Sequence, residues 1–264
     1  MHADAFDRYH EGASLLHRLD PRVKVVVTVA FILSNVLLPD GAWAAFGLAW
    51  LFILSLSWLS GLGIGFTLRR SFVALPFALA ALTAVFSIHG RPLAEWHFWG
   101  LTLIPTDAGV LRFASIVVRS WLSVQGAILL VAVTRFPDLI HAFEHLRVPS
   151  ILTTIVAFLY RYLFVLTDEA MRLMRARQAR SAALAAAQPS GGSLMWRGGV
   201  AGNMAGQLFL RSYERSDRIY NAMLARGYDG HMRTLNAHTL RLRDWTLGIA
   251  AVVFLIFTQW IGRL

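Results

Sequence analysis

The feature that most constrains this chain is where its arginines stand. Four hydrophobic stretches in the first half and one at the very end enclose an arginine-rich segment, Arg135 to Arg243, which holds fifteen of the twenty-five Lys and Arg residues. Moving so cationic a segment across a bilayer with an anionic inner leaflet is disfavoured, so it is expected to stay on the cytoplasmic side. The pattern is that of a membrane anchor carrying a large basic cytoplasmic device.

With 56% hydrophobic residues, nine Trp and seventeen Phe in 264 positions, the chain has more apolar surface than a soluble domain of its size can bury. An integral membrane protein is expected. The absence of Cys excludes disulfides, thiolate metal sites and Cys nucleophiles. The start of the chain, with Asp4, Asp7, Arg8, Glu11, Arg18 and Asp20, has no short apolar core followed by a small-residue cleavage site, so the first span is expected to be retained.

A helix needs about 20 apolar residues to cross the hydrocarbon core. The candidate spans are Val23 to Leu38, Ala42 to Leu59, Phe72 to His89, Gly109 to Thr134 and Trp245 to Ile261. Pro39-Asp40-Gly41 reads as a tight turn and Gly61 to Arg70 as a polar loop. Arg91 to Asp107, with Trp96, Trp99 and Pro105, is too interrupted to span and reads as a loop or short hairpin in the interface. The expected fold is an all-α integral membrane protein of about five transmembrane helices with a cytoplasmic helical region. Its parts are residues 1–134, 135–243 and 244–264.

Orientation follows from the cations at span ends. Arg8, Arg18, Arg22 and Lys24 precede the first span and Arg69 and Arg70 lie between the second and third, whereas the other two loops offer only Arg91. The N-terminus is expected inside and the C-terminus outside. Ile151 to Thr167 is apolar enough to rival a sixth span, but Tyr160-Arg161-Tyr162 lies at its centre. Crossing there would also place the twelve arginines from Arg172 to Arg243 outside. A long amphipathic helix along the membrane is the expectation.

Within the basic region, Pro137 to Arg147 reads as a short helix, and Val148-Pro149-Ser150 starts another that runs through an alanine-rich stretch to about Ala187. Gln188 to Ser193 breaks it. A further helix is expected from Gly202 to Arg226, with Arg211, Arg215 and Arg218 on one face and Gly227 closing it. Two short sequences stand out, Ala179-Arg180-Ser181 and Ala225-Arg226-Gly227. Each flanks an arginine with small residues, which let a partner approach while the guanidinium forks into carboxylate or carbonyl oxygens. Ala176-Arg177-Gln178 fits the looser pattern too.

Taken in order, His17-Arg18-Leu19-Asp20-Pro21-Arg22-Val23-Lys24, Leu146-Arg147-Val148-Pro149, Tyr160-Arg161-Tyr162, Asp168-Glu169-Ala170 and the paired Ala-Arg-x sequences resemble the transmembrane T component of energy-coupling factor transporters. Within that family the chain looks most like the CbiQ-type proteins of cobalt or nickel importers. The resemblance implies a five-span scaffold whose cytoplasmic coupling helices dock on two ABC-type ATPase subunits and hold a separate substrate-binding membrane subunit. It further implies that Arg180 and Arg226, with Ala179, Ser181, Ala225 and Gly227 beside them, are the ATPase-docking elements. No Walker-type phosphate loop occurs in the sequence, so no enzymatic activity of its own and no cofactor are expected.

A rival signal is His141-Ala-Phe-Glu144-His145, the H-x-x-E-H order of inverted zinc proteases, with Glu214 as a distant third ligand. It would make the chain a membrane metallohydrolase, but a structural use of these residues is the expectation. His2, His10, His17, His89 and His97 are scattered without metal-ligand spacing, so no metal site is expected. A third alternative is an anchor that binds anionic lipid or nucleic acid by charge alone; besides the lipid bilayer, no nucleic-acid partner is expected. Arg112 and Arg119 share one face of the fourth span, about 10.5 Å apart along its axis. Buried in a span, they are either a functional polar site or a structural pair bonded to backbone carbonyls or Gln125.

Overall fold

The computed structural model describes residues 9–88, 90–91, 96–98, 101–103, 106–180, 193–230 and 240–264. In chain order these form α1 (Pro21–Leu37), α2 (Trp43–Leu59), α3 (Ile64–Arg70), α4 (Leu75–Ala81) and α5 (Thr83–Ser87). Strands β1 (Trp96–Phe98) and β2 (Leu101–Leu103) follow, then α6 (Asp107–Val133), α7 (Phe136–His145), α8 (Ser150–Arg180), α9 (Leu194–Ala225) and α10 (Leu242–Ile261). The described residues group into two compact units: 9–146 with 240–264, and 147–180 with 193–230. The fold is all-α, with a single three-residue antiparallel hairpin, Trp96 opposite Leu103, among the described residues of the Arg91–Asp107 stretch.

In the first unit α1 begins where the sequence demands it. Asp20 accepts a hydrogen bond from the Arg22 N–H at 2.9 Å, and Pro21 occupies the first turn, where its missing donor is no loss. α1 leads through the Pro39-Asp40-Gly41 turn, with Gly41 at φ +84°, into α2, which is apolar on every face. Phe31, Phe46, Ile53, Leu122 and Leu255 from α1, α2, α6 and α10 form the buried centre. Phe31, Phe52 and Phe254 stack in sequence, with centroids 5.8 and 5.0 Å apart.

Apolar lipid gives helices little reason to associate, so polar staples matter. Asn35 donates to the Arg119 carbonyl (3.0 Å) and to Ser123 Oγ (3.3 Å), tying α1 to α6. Gln259 of α10 donates to Ser34. The Trp121 indole donates to Ser71 Oγ at 2.7 Å. At Gly109 a side chain would meet the Val85 carbonyl at 2.5 Å, so the close approach of α5 to α6 requires glycine there.

The third apolar segment departs from the expected single span and loop. Residues 64–70, read as loop, are helical, and Ser71–Ala74 then tightens to a 3₁₀ turn before α4. Pro76 explains the break: it has no N–H to donate four residues back, and its ring crowds that carbonyl. The helix expected from Gly202 begins eight residues earlier, at Leu194, where Ser193 Oγ accepts from the Trp196 N–H at 3.3 Å. Gly198, Gly199, Gly202 and Gly206 all lie inside it, although each costs a helix about 1 kcal/mol relative to Ala. No residue of α9 is buried. Helix α8 is, by length and composition, as able to cross a membrane as Ile64–Phe86, α6 and α10.

The least expected interior group is Lys24, at 6% exposure. Its ammonium donates to the carbonyls of His17 (3.2 Å) and Val133 (3.1 Å), the latter an orphan acceptor at the end of α6. Lys24→Ala would leave both acceptors short of a donor, a loss of about 1–3 kcal/mol. The variant is expected to show a lower thermal unfolding midpoint in detergent; an unchanged midpoint would refute this role.

Candidate functional site

In the second unit, α8 is the basic helix expected after Pro149, and its Ala179 and Arg180 are exposed. Ser181 lies outside the described residues. α9 closes with a Schellman arrangement: the Tyr228 N–H bonds the Met223 carbonyl and the Gly227 N–H the Leu224 carbonyl, both at 3.0 Å. Gly227 takes φ +81°, which glycine alone adopts without penalty, and Arg226 is the exposed cap residue. Arg226 therefore stands at a helix end, and Arg180 on the helical surface of α8, each beside residues that are small in the sequence. Among the described residues neither is paired with a carboxylate.

Glu169 holds α8 and α9 together. Its carboxylate, 14% exposed, takes the Arg211 guanidinium from α9 and lies 3.7 Å from Arg172 of its own helix. A groove of about 990 Å³ follows the two helices, lined by Phe158, Tyr162, Tyr213, Ile219 and Met223 among others, with Arg215 at its side. Arg211 is thus in an ion pair and Arg215 on the groove, while Arg218 is exposed. Arg161 points to solvent, while Tyr160 and Tyr162 contact Phe164 and Phe158 of the same helix. The signal for Glu169 in the sequence is a carboxylate three residues before Arg172.

In the first unit Arg112 and Arg119 meet one carboxylate that the sequence reading had assigned only to a turn. Arg119 donates to Asp40 Oδ1 (2.7 Å) and to the Leu38 carbonyl (2.6 Å), and Arg112 lies 3.9 Å from Asp40 Oδ2. Gln125 is not their partner; it is fully buried, and neither amide atom finds a hydrogen bond among the described residues. Arg119 is also less deep than its place within the span suggested. α1 and α6 run antiparallel, Lys24 against Val133 and Leu38 against Arg119, so Arg119 stands level with the α1–α2 turn, about 21 Å from the Lys24 contact.

His141 and His145 sit one turn apart on α7, rings 4.4 Å apart, and His145 Nδ1 is 3.0 Å from the His141 carbonyl, where it can donate. Among the described residues no group of three or more His, Asp or Glu is placed to hold a metal ion. His17 is held by Ser14 Oγ (2.6 Å) and the His10 carbonyl (2.9 Å). Partial burial lowers its pKa from the ordinary 6.5; the hydrogen bond to the His10 carbonyl opposes that shift, and the Lys24 charge adds a smaller push in the same direction as burial.

A family model described as cobalt transport protein, CbiQ, matches residues 12–237. The chain is 30% identical over 263 residues to the energy-coupling factor transporter transmembrane protein EcfT of Lacticaseibacillus paracasei, covering 95% of this chain and 94% of that protein. Proteins of the same name from Thermosediminibacter oceani (27% over 245 residues, 89% and 88% covered) and Clostridium kluyveri (27% over 263 residues, 93% and 92%) are also similar. The chain belongs to the CbiQ family, the transmembrane components of energy-coupling factor transporters, and is a multi-pass membrane protein. The resemblance read from its motifs is borne out.

The Asp40 geometry predicts a rank order. Asp40→Ala removes two partly exposed ion pairs, each worth about 1 kcal/mol at most and the 3.9 Å pair with Arg112 least. Arg119→Gln also strips the Leu38 carbonyl of its donor and should cost about 1–3 kcal/mol. Thermal unfolding in detergent checks the order, and an Asp40→Ala loss exceeding that of Arg119→Gln would contradict it.

Proposed function

We propose that this chain is the scaffold through which a pair of ABC-type ATPases moves a substrate-binding membrane subunit, with cobalt or nickel as the cargo. The observation that carries this reading is the exposure of Arg180 on α8 and of Arg226 at the cap of α9, neither with a carboxylate partner among the described residues, on two helices pinned together by Glu169 and Arg211. Helices joined in this way transmit a push at one end to the other instead of absorbing it as local bending. The sequence has no phosphate loop, so the energy is drawn from the ATPase partners. The cargo rests on the description carried by the matching family model. Family membership disfavours the metallohydrolase reading of His141, Glu144 and His145.

In this reading residues 135–243 are the cytoplasmic coupling region, flanked by spans within 1–134 and 244–264, with the N-terminus inside and the C-terminus outside. Arg112 and Arg119 serve as a structural clamp on Asp40 rather than as a substrate site. The positive-inside bias supports this topology. A single cysteine at Ser193 is expected to react with a membrane-impermeant maleimide only after the inner face is exposed, and one at Leu264 from outside. External labelling at Ser193 would make α8 a sixth crossing.

The docking arginines make a quantitative prediction. A charge-assisted hydrogen bond contributes about 1.5–3 kcal/mol, so Arg180→Ala or Arg226→Ala alone should weaken ATPase binding by roughly one to two powers of ten. Losing both removes the tethering advantage of two sites and should release the ATPases altogether. Arg→Lys should also impair docking, because an ammonium lacks the planar fork. The measurement is ATPase retention on the purified complex; full retention and normal transport in the double variant would refute the assignment.

A further inference from the structure

Between the third apolar segment and α6 lies a groove of about 1090 Å³ whose two ends differ in chemistry. That volume matches or exceeds the roughly 300–1,000 Å³ of ordinary small-ligand pockets. One end is cationic. Arg69 and Arg70, at the end of α3, line it together with His10. The Arg70 guanidinium lies 4.1 Å above the Phe66 ring, whose centroid is 4.7 Å from that of the His10 ring, so aromatic contacts fix this rim in place. Among the described residues neither Arg69 nor Arg70 has a carboxylate partner, in contrast to Arg112, Arg119, Arg135 and Arg211.

Toward the other end the groove is lined by Leu75 and Ala78 on one side and Val117 and Trp121 on the other. Its polar atoms there are already satisfied: the Trp121 indole donates to Ser71 Oγ, whose hydroxyl donates to the Leu68 carbonyl. A peptide would find no backbone partners in such a slot, and a small anion would leave its apolar length unfilled. From Arg70 to Ala78 the helical path advances about 12 Å along the span, from rim to interior. A charged head on an apolar tail is the shape that fits.

We propose that this groove binds one anionic phospholipid of the inner leaflet, its phosphate held by Arg69 and Arg70 and one acyl chain laid between α4 and α6. Phosphatidylglycerol is the probe. The inner-leaflet placement rests on the topology given under Proposed function, but occupancy itself does not, so the test below is independent of membrane orientation and of any ATPase.

The full-length chain is reconstituted in nanodiscs of equal palmitoyl-oleoyl phosphatidylglycerol and phosphatidylcholine, and retained lipid is counted by native mass spectrometry. Phosphatidylglycerol is expected to be retained over phosphatidylcholine. A cation at an anionic lipid surface favours binding roughly fivefold, so Arg69→Gln with Arg70→Gln should lower that preference about tenfold or more. Ala78→Phe, which leaves every charge in place, should reduce retention of both lipids by filling the slot. The same loss of charge at Arg215→Gln with Arg218→Gln should leave the preference intact. An unchanged preference in the Arg69/Arg70 variant, or an equal fall in the Arg215/Arg218 variant, would overturn the site. Displacement by glycerophosphoglycerol alone, with Ala78→Phe silent, would overturn the lipid in favour of a free anion.

Discussion

The membrane-helix unit depends on one buried ammonium. Lys24 donates to the carbonyl that ends α6 and to the carbonyl of His17, while Asp20 caps α1 and its own N–H is accepted by Asp244 of α10 at 3.4 Å. Asp244 also accepts from the Arg241 N–H at 2.9 Å, closing the first turn of α10. Three helix ends thus meet through a few groups buried together, where water competes least for their hydrogen bonds. A lone cation there would be costly; Asp20, Asp138 and Asp244 lie within its electrostatic reach and offset the charge. The apolar faces then need only fill space, which the phenylalanine stack and Leu122 do.

Much of this was legible because membrane spans declare themselves by length. α1, α2, α6 and α10 lie close to the stretches read from hydrophobicity, and Gly227 closes α9 as its chemistry suggests. The third segment was misjudged because periodicity does not reveal that Pro76 divides an apolar run, nor that residues before an apolar stretch continue its helix. The start of α9 was missed because Gly198 and Gly199 argue against helix on propensity alone, while the serine that caps it lies inside a run of breakers. Partners far apart in sequence were invisible: nothing local in Asp40 announces two arginines more than seventy residues away. The tight corner after α7 was equally hidden, since Arg147 adopts φ +66° where glycine or asparagine is usual.

The arginines sort into those with carboxylates and those without. Arg119 and Arg211 are committed to Asp40 and Glu169 and hold helices in place. Arg69, Arg70, Arg180 and Arg226 carry the same group with no such partner among the described residues, at a groove rim, on the surface of α8 and at the end of α9. Net charge of +10 therefore understates the organisation. The excess is placed where a second molecule can meet it.

Lys24 is also the only lysine in the sequence, and it is buried. Every exposed basic side chain whose charge does not depend on pH is then a guanidinium. Acetylation, the common way of switching off a basic surface, finds no accessible side-chain amine on the described face of this protein. Whatever partners read that surface meet a charge that side-chain acylation does not erase.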